Sequence, residues 1–253
     1  MKANDYLLLL DADDTLWESA LFFERTEHDF LSLMSALGLP EDEVRRTVHR
    51  KDVERLSITG YGARPYMDTL RTIMQDLAPQ APSWALTAMD NIQMNLLGHP
   101  VILLPGVISA LREMKNLQIN TIVYTMGEKD HQTDKFVRSG LDGYVDELRI
   151  VPVKNVNALR DVLVYAHVEP ENCMIVGNSP RSDINPALSL GAVAVHVARD
   201  RTWAAEREDF TDPGMVITIE RFDELPDVLG SFLNADNSQI KKNSINSDWR
   251  LHS

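Results

Sequence analysis

Apolar and polar positions along this chain change rhythm twice. The run Tyr6-Leu7-Leu8-Leu9-Leu10 is uniformly apolar, too short for a helix and stopped by an aspartate-rich turn, so it reads as a buried strand. Helical spacing then holds from Glu18 to Leu37, and Gly38 with Pro40 just beyond ends that helix. Glu41 to Leu56 reads as a second, charge-rich helix, and Thr59 to Pro65 as a loop because it carries Gly60, Gly62 and Pro65. Two more helices fit Tyr66 to Leu77 and Ser83 to Leu97, separated by Pro79 and Pro82. After Pro105-Gly106 the pattern alternates. Helices over Val107 to Lys115, Lys129 to Ser139, Val156 to Ala166 and Ile184 to Leu190 are interleaved with strands. The strands are Ile119 to Tyr124, Glu147 to Val153, Met174 to Val176 and Ala192 to Val197, with Met215 to Ile219 adding one more.

Strands alternating with helices imply an α/β fold, a doubly wound parallel sheet covered on both faces. The four-helix block between the first strand and this alternation is then an insertion, an all-helical cap over the sheet. The expected boundaries are residues 1–16 and 101–233 for the core and 17–100 for the cap. Residues 234–253 are rich in Asn, Ser and Lys and are expected to be a disordered tail. No internal repeat is visible.

Composition narrows the function. The 253 residues are 44% hydrophobic and 25% charged, an ordinary globular mixture. With 38 Asp and Glu against 25 Lys and Arg, the net charge of −13 argues against nucleic acid and anionic membrane surfaces as partners. Small phosphorylated ligands stay open, because a few local cations reverse the field inside one pocket. No apolar run approaches the roughly 20 residues of a membrane helix, and the N-terminus does not read as a signal peptide. A single cysteine, Cys173, excludes an internal disulfide and fits a reducing compartment. The cytoplasm is the expected location, and Cys173 itself reads as a small buried hydrophobe.

The chemistry gathers where ligands bind in an open α/β sheet, at the carboxyl ends of the strands. Asp11-Ala12-Asp13-Asp14-Thr15 follows the first strand, Thr125-Met126-Gly127 the second, Lys154 the third, and Gly177-Asn178-Ser179-Pro180-Arg181-Ser182-Asp183 the fourth. Clustered carboxylates are costly unless a positive charge sits between them. A hard divalent cation with oxygen ligands fits, and Mg²⁺ is the usual occupant where phosphate also binds.

Asp-x-Asp-x-Thr, then Thr, Lys and Gly-Asn-x-x-x-x-Asp, each after a strand and in this order, resemble the haloacid dehalogenase-like hydrolase superfamily over about residues 5–230. The helices inserted after the first motif, with Ser179-x-x-Ser182-Asp183-Ile184, Pro186-Ala187 and Leu190-Gly191, are similar to its phosphoglycolate-phosphatase-like branch. The resemblance implies a Rossmann-like core and an Mg²⁺-dependent phosphatase acting on a small phosphorylated metabolite through an aspartyl-phosphate. It gives Asp11 the role of nucleophile, and Asp13, two residues on, that of general acid and base. It implies phosphate binding by the Thr125 hydroxyl, the backbone N–H groups of Met126 and Gly127, and the Lys154 ammonium. It implies a metal held by Asp11, the Asp13 carbonyl and the last motif, where Asn178 stands in place of the commoner aspartate and leaves Asp183 as a second candidate. Asp11 and Asp13, close to each other and to a metal, are expected to have separated pKa values, one ionised nucleophile and one proton donor.

Other readings remain on the table. A 2-haloacid dehalogenase attacks carbon without metal, but it has no use for an acid at Asp13. A phosphomutase shares the same machinery. A non-catalytic binding protein of this fold, or a phosphate-accepting receiver domain, is a different class; length and the helical insertion weigh against the receiver. Asp14 reads as a turn residue. Lys154 is preferred over Lys129 and Lys135 by its place after a strand. His99 and His131 lack a ligand partner at metal spacing and read as surface or loop residues. Trp17, Tyr61 and Arg64 are candidates for reading the non-phosphate part of a substrate. The sequence leaves the substrate and the oligomeric state open.

Overall fold

A computed structural model describes residues 6–234 apart from Thr202, Ala204 and Ala205, with the Ser57 and Thr59 side chains also undescribed. The expected disordered tail, from residue 235 on, lies outside the described residues.

Six strands form one parallel sheet in the order β3-β2-β1-β4-β5-β6. They are β1 (Leu7–Leu10), β2 (Asn120–Met126), β3 (Glu147–Val151), β4 (Cys173–Gly177), β5 (Val193–Val197) and β6 (Val216–Ile219). β1 lies between β2 and β4, with Leu10 level with Val123 on one side and Val176 on the other. The chain therefore reverses its direction of travel across the sheet at β1, and a crevice opens there at the carboxyl edge. All four residues of β1 are buried because both faces are covered. Leu8 and Leu10 join one apolar cluster, with α5 (Val107–Asn116) and α9 (Leu225–Asn234). Leu7 and Leu9 alternate to the other face, against α7 (Val156–Ala166) and α8 (Asn185–Leu190).

Between β1 and α5 come α1 (Ala20–Ala36), α2 (Glu41–Thr59), α3 (Ala63–Leu77) and α4 (Ser83–Leu97). These helices bury their own apolar cluster, which includes Phe30, Met34, Met67, Leu70, Ile73 and Met89. α6 (Lys129–Ser139) follows β2.

Several boundaries differ from the sequence reading. The expected loop from 59 to 65 shrinks, because α3 already begins at Ala63. Pro65 sits in its first turn, where a backbone N–H has no helical partner to lose. β2 runs on to Met126, which places Thr125 inside the strand, and β3 stops at Val151. α9 was not anticipated: Pro226 and Gly230 hide its periodicity, yet Leu225, Leu229 and Phe232 are buried, and the Phe232 ring meets Tyr6 at 5.2 Å. Between β4 and α8 the chain makes one π-helical turn, Pro180–Ile184. Among the described residues no helix is long and apolar enough to cross a membrane.

Candidate active site

The strand ends converge on one buried cluster. Asp11 follows β1 directly, and its N–H donates to the Val176 carbonyl (2.9 Å), which ties it to β4. Lys154, three residues past β3, donates to Asp11 Oδ1 and to Asp183 Oδ1 (2.7 Å). The Thr15 hydroxyl donates to Asp11 Oδ2 at 2.8 Å and accepts the Asn178 N–H at 3.1 Å. Asp183 reaches back under β4, where Ser179 N–H donates to its Oδ2 at 3.1 Å. That approach requires Gly177, since a Cβ there would stand 2.2 Å from Asp183 Oδ2. Thr125 is buried and lines the same cavity.

One ammonium between two buried carboxylates leaves a surplus of negative charge. Burial raises the pKa of Asp11, and it raises that of Asp183 to about 7, in both cases outweighing Lys154. Burial alone would lower Lys154, but Asp11 and Asp183 overcome it and hold the ammonium above its ordinary range. No group of three His, Cys, Asp or Glu side chains among the described residues is placed to hold a metal by itself. The available donors are instead mixed oxygens: two carboxylates, the Asn178 amide and the nearby main chain. Such a hard, anionic set fits Mg²⁺.

Asp13 is gripped by three donors: Lys135 Nζ at 2.5 and 2.8 Å from its two oxygens, Gln132 Nε2 at 2.8 Å and Trp17 Nε1 at 2.7 Å. Burial opposes the charge, yet Lys135 and these hydrogen bonds prevail and bring its pKa down to about 2. The two carboxylates are thus separated in pKa, but in the reverse of the expected sense: Asp11 is raised and Asp13 lowered. The sequence reading weighed Lys135 only as a rival to Lys154, not as a partner of Asp13, and did not single out Gln132. Their signal is the helical spacing 131, 132 and 135 on α6, the buried face of a charge-rich helix.

The remaining candidates divide. Asp14, at φ 62°, accepts the N–H groups of Ser19 and Ala20 at 2.9 and 3.0 Å. Met126 lines the cavity, whereas Gly127 does not, and the Gly127 N–H is directed at the Val151 carbonyl (3.3 Å). Trp17 is wholly buried and packs with the sheet cluster, so it faces Asp13 instead of a substrate. Tyr61 lines the cavity, while Arg64 pairs with Glu128 through Nη1 and its own N–H, both at 2.9 Å. His99 and His131 are buried, not at the surface, because His99 stacks on Phe22 (4.2 Å) and His131 lies edge-on to it. Burial lowers both, His131 to about 4. Cys173 is buried in β4, which pushes its thiol up. The cavity itself, about 590 Å³, lies between the strand ends and helices α1 to α3.

A doubly wound parallel sheet that gathers carboxylates, a lysine and a threonine at the carboxyl ends of its strands is the framework of an α/β hydrolase. The chain matches the family model of haloacid dehalogenase-like hydrolases over residues 7–191, and it belongs to that family. It is 24% identical over 228 residues to a protein of Methanocaldococcus jannaschii named glyceraldehyde 3-phosphate phosphatase, covering 88% of this chain and 96% of that protein. A protein of the same name from Methanopyrus kandleri is 27% identical over 229 residues, with coverage of 88% and 96%. Among solved structures, a haloacid dehalogenase-like hydrolase from Xanthomonas campestris superposes with a TM-score of 0.78 at 22% identity, covering 94% of each chain.

Proposed function

We propose that the protein is a magnesium-assisted phosphatase of small phosphorylated metabolites, with Asp11 as the nucleophile and α1 to α4 as its cap. The observation that carries this reading is the buried Asp11–Lys154–Asp183 cluster beside Thr125 at the strand ends. An Asp11 oxygen attacks phosphorus, the bond to the leaving alkoxide breaks, and that alkoxide takes up a proton. Water then attacks the same phosphorus, the bond to Asp11 breaks, and phosphate departs. Lys154 neutralises charge on the phosphoryl oxygens, and Thr125 with the Met126 N–H donates to them. Asp13, held as a carboxylate by Lys135 and Gln132, is ready to take the proton of the attacking water. For the first half Asp13 has to come off Lys135 and take up a proton from solvent, which it passes to the departing alkoxide; the proton of the attacking water then replaces it in the second half.

Asp11, Asn178, Asp183 and the Asp13 carbonyl would hold the metal. Bound there, Mg²⁺ supplies the positive charge that keeps Asp11 ionised against the phosphate. The names of the archaeal relatives make a three-carbon aldehyde phosphate the first compound to try. The test is phosphate release from p-nitrophenyl phosphate and that compound, with Mg²⁺ or with chelator, for wild type and Asp11→Asn. Turnover should need Mg²⁺ and fall by at least about 10³-fold in the variant, as expected when a covalent nucleophile is removed. Equal activity in Asp11→Asn, or turnover of 2-haloacids in chelator instead, would refute the proposal.

A further inference from the structure

Beyond the Asp11–Lys154–Asp183 cluster, the cavity wall carries Glu24, Glu27, Asp52, Glu128, Asp200 and Glu206. Four of these are matched by arginines: Arg201 on Glu24, Arg45 on Glu27, Arg55 on Asp52 and Arg64 on Glu128. Asp200 is exposed at the rim. Glu206 is different. It is only 7% exposed and forms no ion pair with a lysine or arginine among the described residues. Its Oε2 accepts hydroxyls from Ser182, on the π-helical turn after β4, and from Ser179 (2.5 Å), which caps the start of that turn. Tyr61, from the loop before α3, lines the cavity beside it, and burial together with this carboxylate raises the phenol's pKa. Its other oxygen, Oε1, is buried with no hydrogen-bond partner among the described residues.

A buried carboxylate oxygen without a donor is costly, and a ligand that brings the donor relieves that cost. A ligand that brings a second anion against Glu206 adds repulsion, because this carboxylate has no ion-pair partner among the described residues, while Arg201, Arg45, Arg55 and Arg64 already face carboxylates of the protein. We propose that Glu206 is a specificity-determining residue that accepts a hydrogen bond from a hydroxyl or ammonium on the non-phosphate part of the substrate. The enzyme then selects hydroxylated phosphomonoesters that are otherwise uncharged or cationic, and turns away those bearing a carboxylate or a second phosphate. This inference rests on the phosphatase reading above.

The test uses the full chain with Mg²⁺ and three small esters: glycerol 3-phosphate, 3-phosphoglycerate and phosphoethanolamine, with p-nitrophenyl phosphate alongside. In wild type, kcat/KM for glycerol 3-phosphate should exceed that for 3-phosphoglycerate by about 10- to 100-fold, because both bring a hydroxyl but only the latter sets a carboxylate against Glu206. In Glu206→Gln, which keeps the shape and removes the charge, that ratio should fall towards one. The phosphoethanolamine arm separates the two donors: turnover above glycerol 3-phosphate assigns an ammonium, turnover below it a hydroxyl. If the variant does not fold, the wild-type ratio alone decides. Hydrolysis of p-nitrophenyl phosphate without preference between the two three-carbon esters, or an unchanged ratio in folded Glu206→Gln, overturns the inference and leaves the phosphatase reading standing. No turnover of any of the four overturns both.

Discussion

At the scale of single residues, the two carboxylates of the first motif are set apart by what touches them. Asp11 faces one lysine that it shares with Asp183. Asp13 has Lys135 to itself, with Gln132 and Trp17 completing its shell. In Lys135→Met the burial that opposes the Asp13 charge is contested only by the hydrogen bonds from Gln132 and Trp17. The pKa, about 2 in the native site, should then rise above that of a free carboxyl. The acid limb of the kcat/KM pH profile should accordingly move up by at least about one unit, while Lys135→Arg holds it near the native position. An acid limb that stays put in Lys135→Met would mean that this lysine only packs. Sequence reading marked Asp11 and Asp13 from the strand that precedes them. It could not assign their opposite pKa shifts, because Lys135 lies 122 positions away from Asp13 in the chain.

At the scale of elements, the helices inserted after β1 meet the segment that follows β2 through a polar tie. α3 starts with Arg64 bonded to Glu128, the residue that precedes α6. Gly62 makes this approach possible: its φ is +147°, and a Cβ would lie 2.8 Å from Glu128 Oε2. Gly62→Ala is strained by its backbone and displaces Glu128, which should cost about 1–3 kcal/mol and lower the melting temperature by several degrees. It should also lower kcat/KM more than it lowers stability in mild urea would explain, since the tie sets where the cap sits. A calorimetric scan paired with steady-state kinetics checks both. Proline and glycine marked this stretch as a break in the helices, but the helix start at Ala63 depends on the contact with Glu128, which no local pattern displays.

At the scale of the whole molecule, several buried carboxylates tie stability to pH. Asp14 and Asp183 both have pKa values raised to about 7 by burial, above the 3.8 of the unfolded chain. The folded state therefore holds more protons than the unfolded one between these values, and stability falls as pH rises through that window. Asp13 works the other way: its pKa of about 2 adds stability above pH 3.8 that is lost as pH falls towards 2. In chelator, urea midpoints should decline between about pH 5 and pH 8, and Mg²⁺ should restore most of the loss at pH 8 by binding the folded state. A midpoint that is flat across this range in chelator would show that the cluster is not strained by its own charge.

The fold was legible in the sequence because it is written in local periodicity. A four-leucine strand buried on both faces, a block of four helices, and then alternation of helix and strand as far as β5 each follow from the spacing of apolar residues along the chain. The strand-end positions of Asp11, Thr125, Lys154 and Asp183 were legible for the same reason. α9 was not, because Pro226 and Gly230 blur its period and its helicity comes from the burial of Leu225, Leu229 and Phe232. The partners within the site were also beyond reach. Lys135 on Asp13, Arg64 on Glu128 and Glu206 under Ser179 and Ser182 join segments far apart in sequence. Periodicity assigns a residue to a face or an end of its element, whereas charge pairing depends on distance in space, and only the packing of cap and sheet sets that distance.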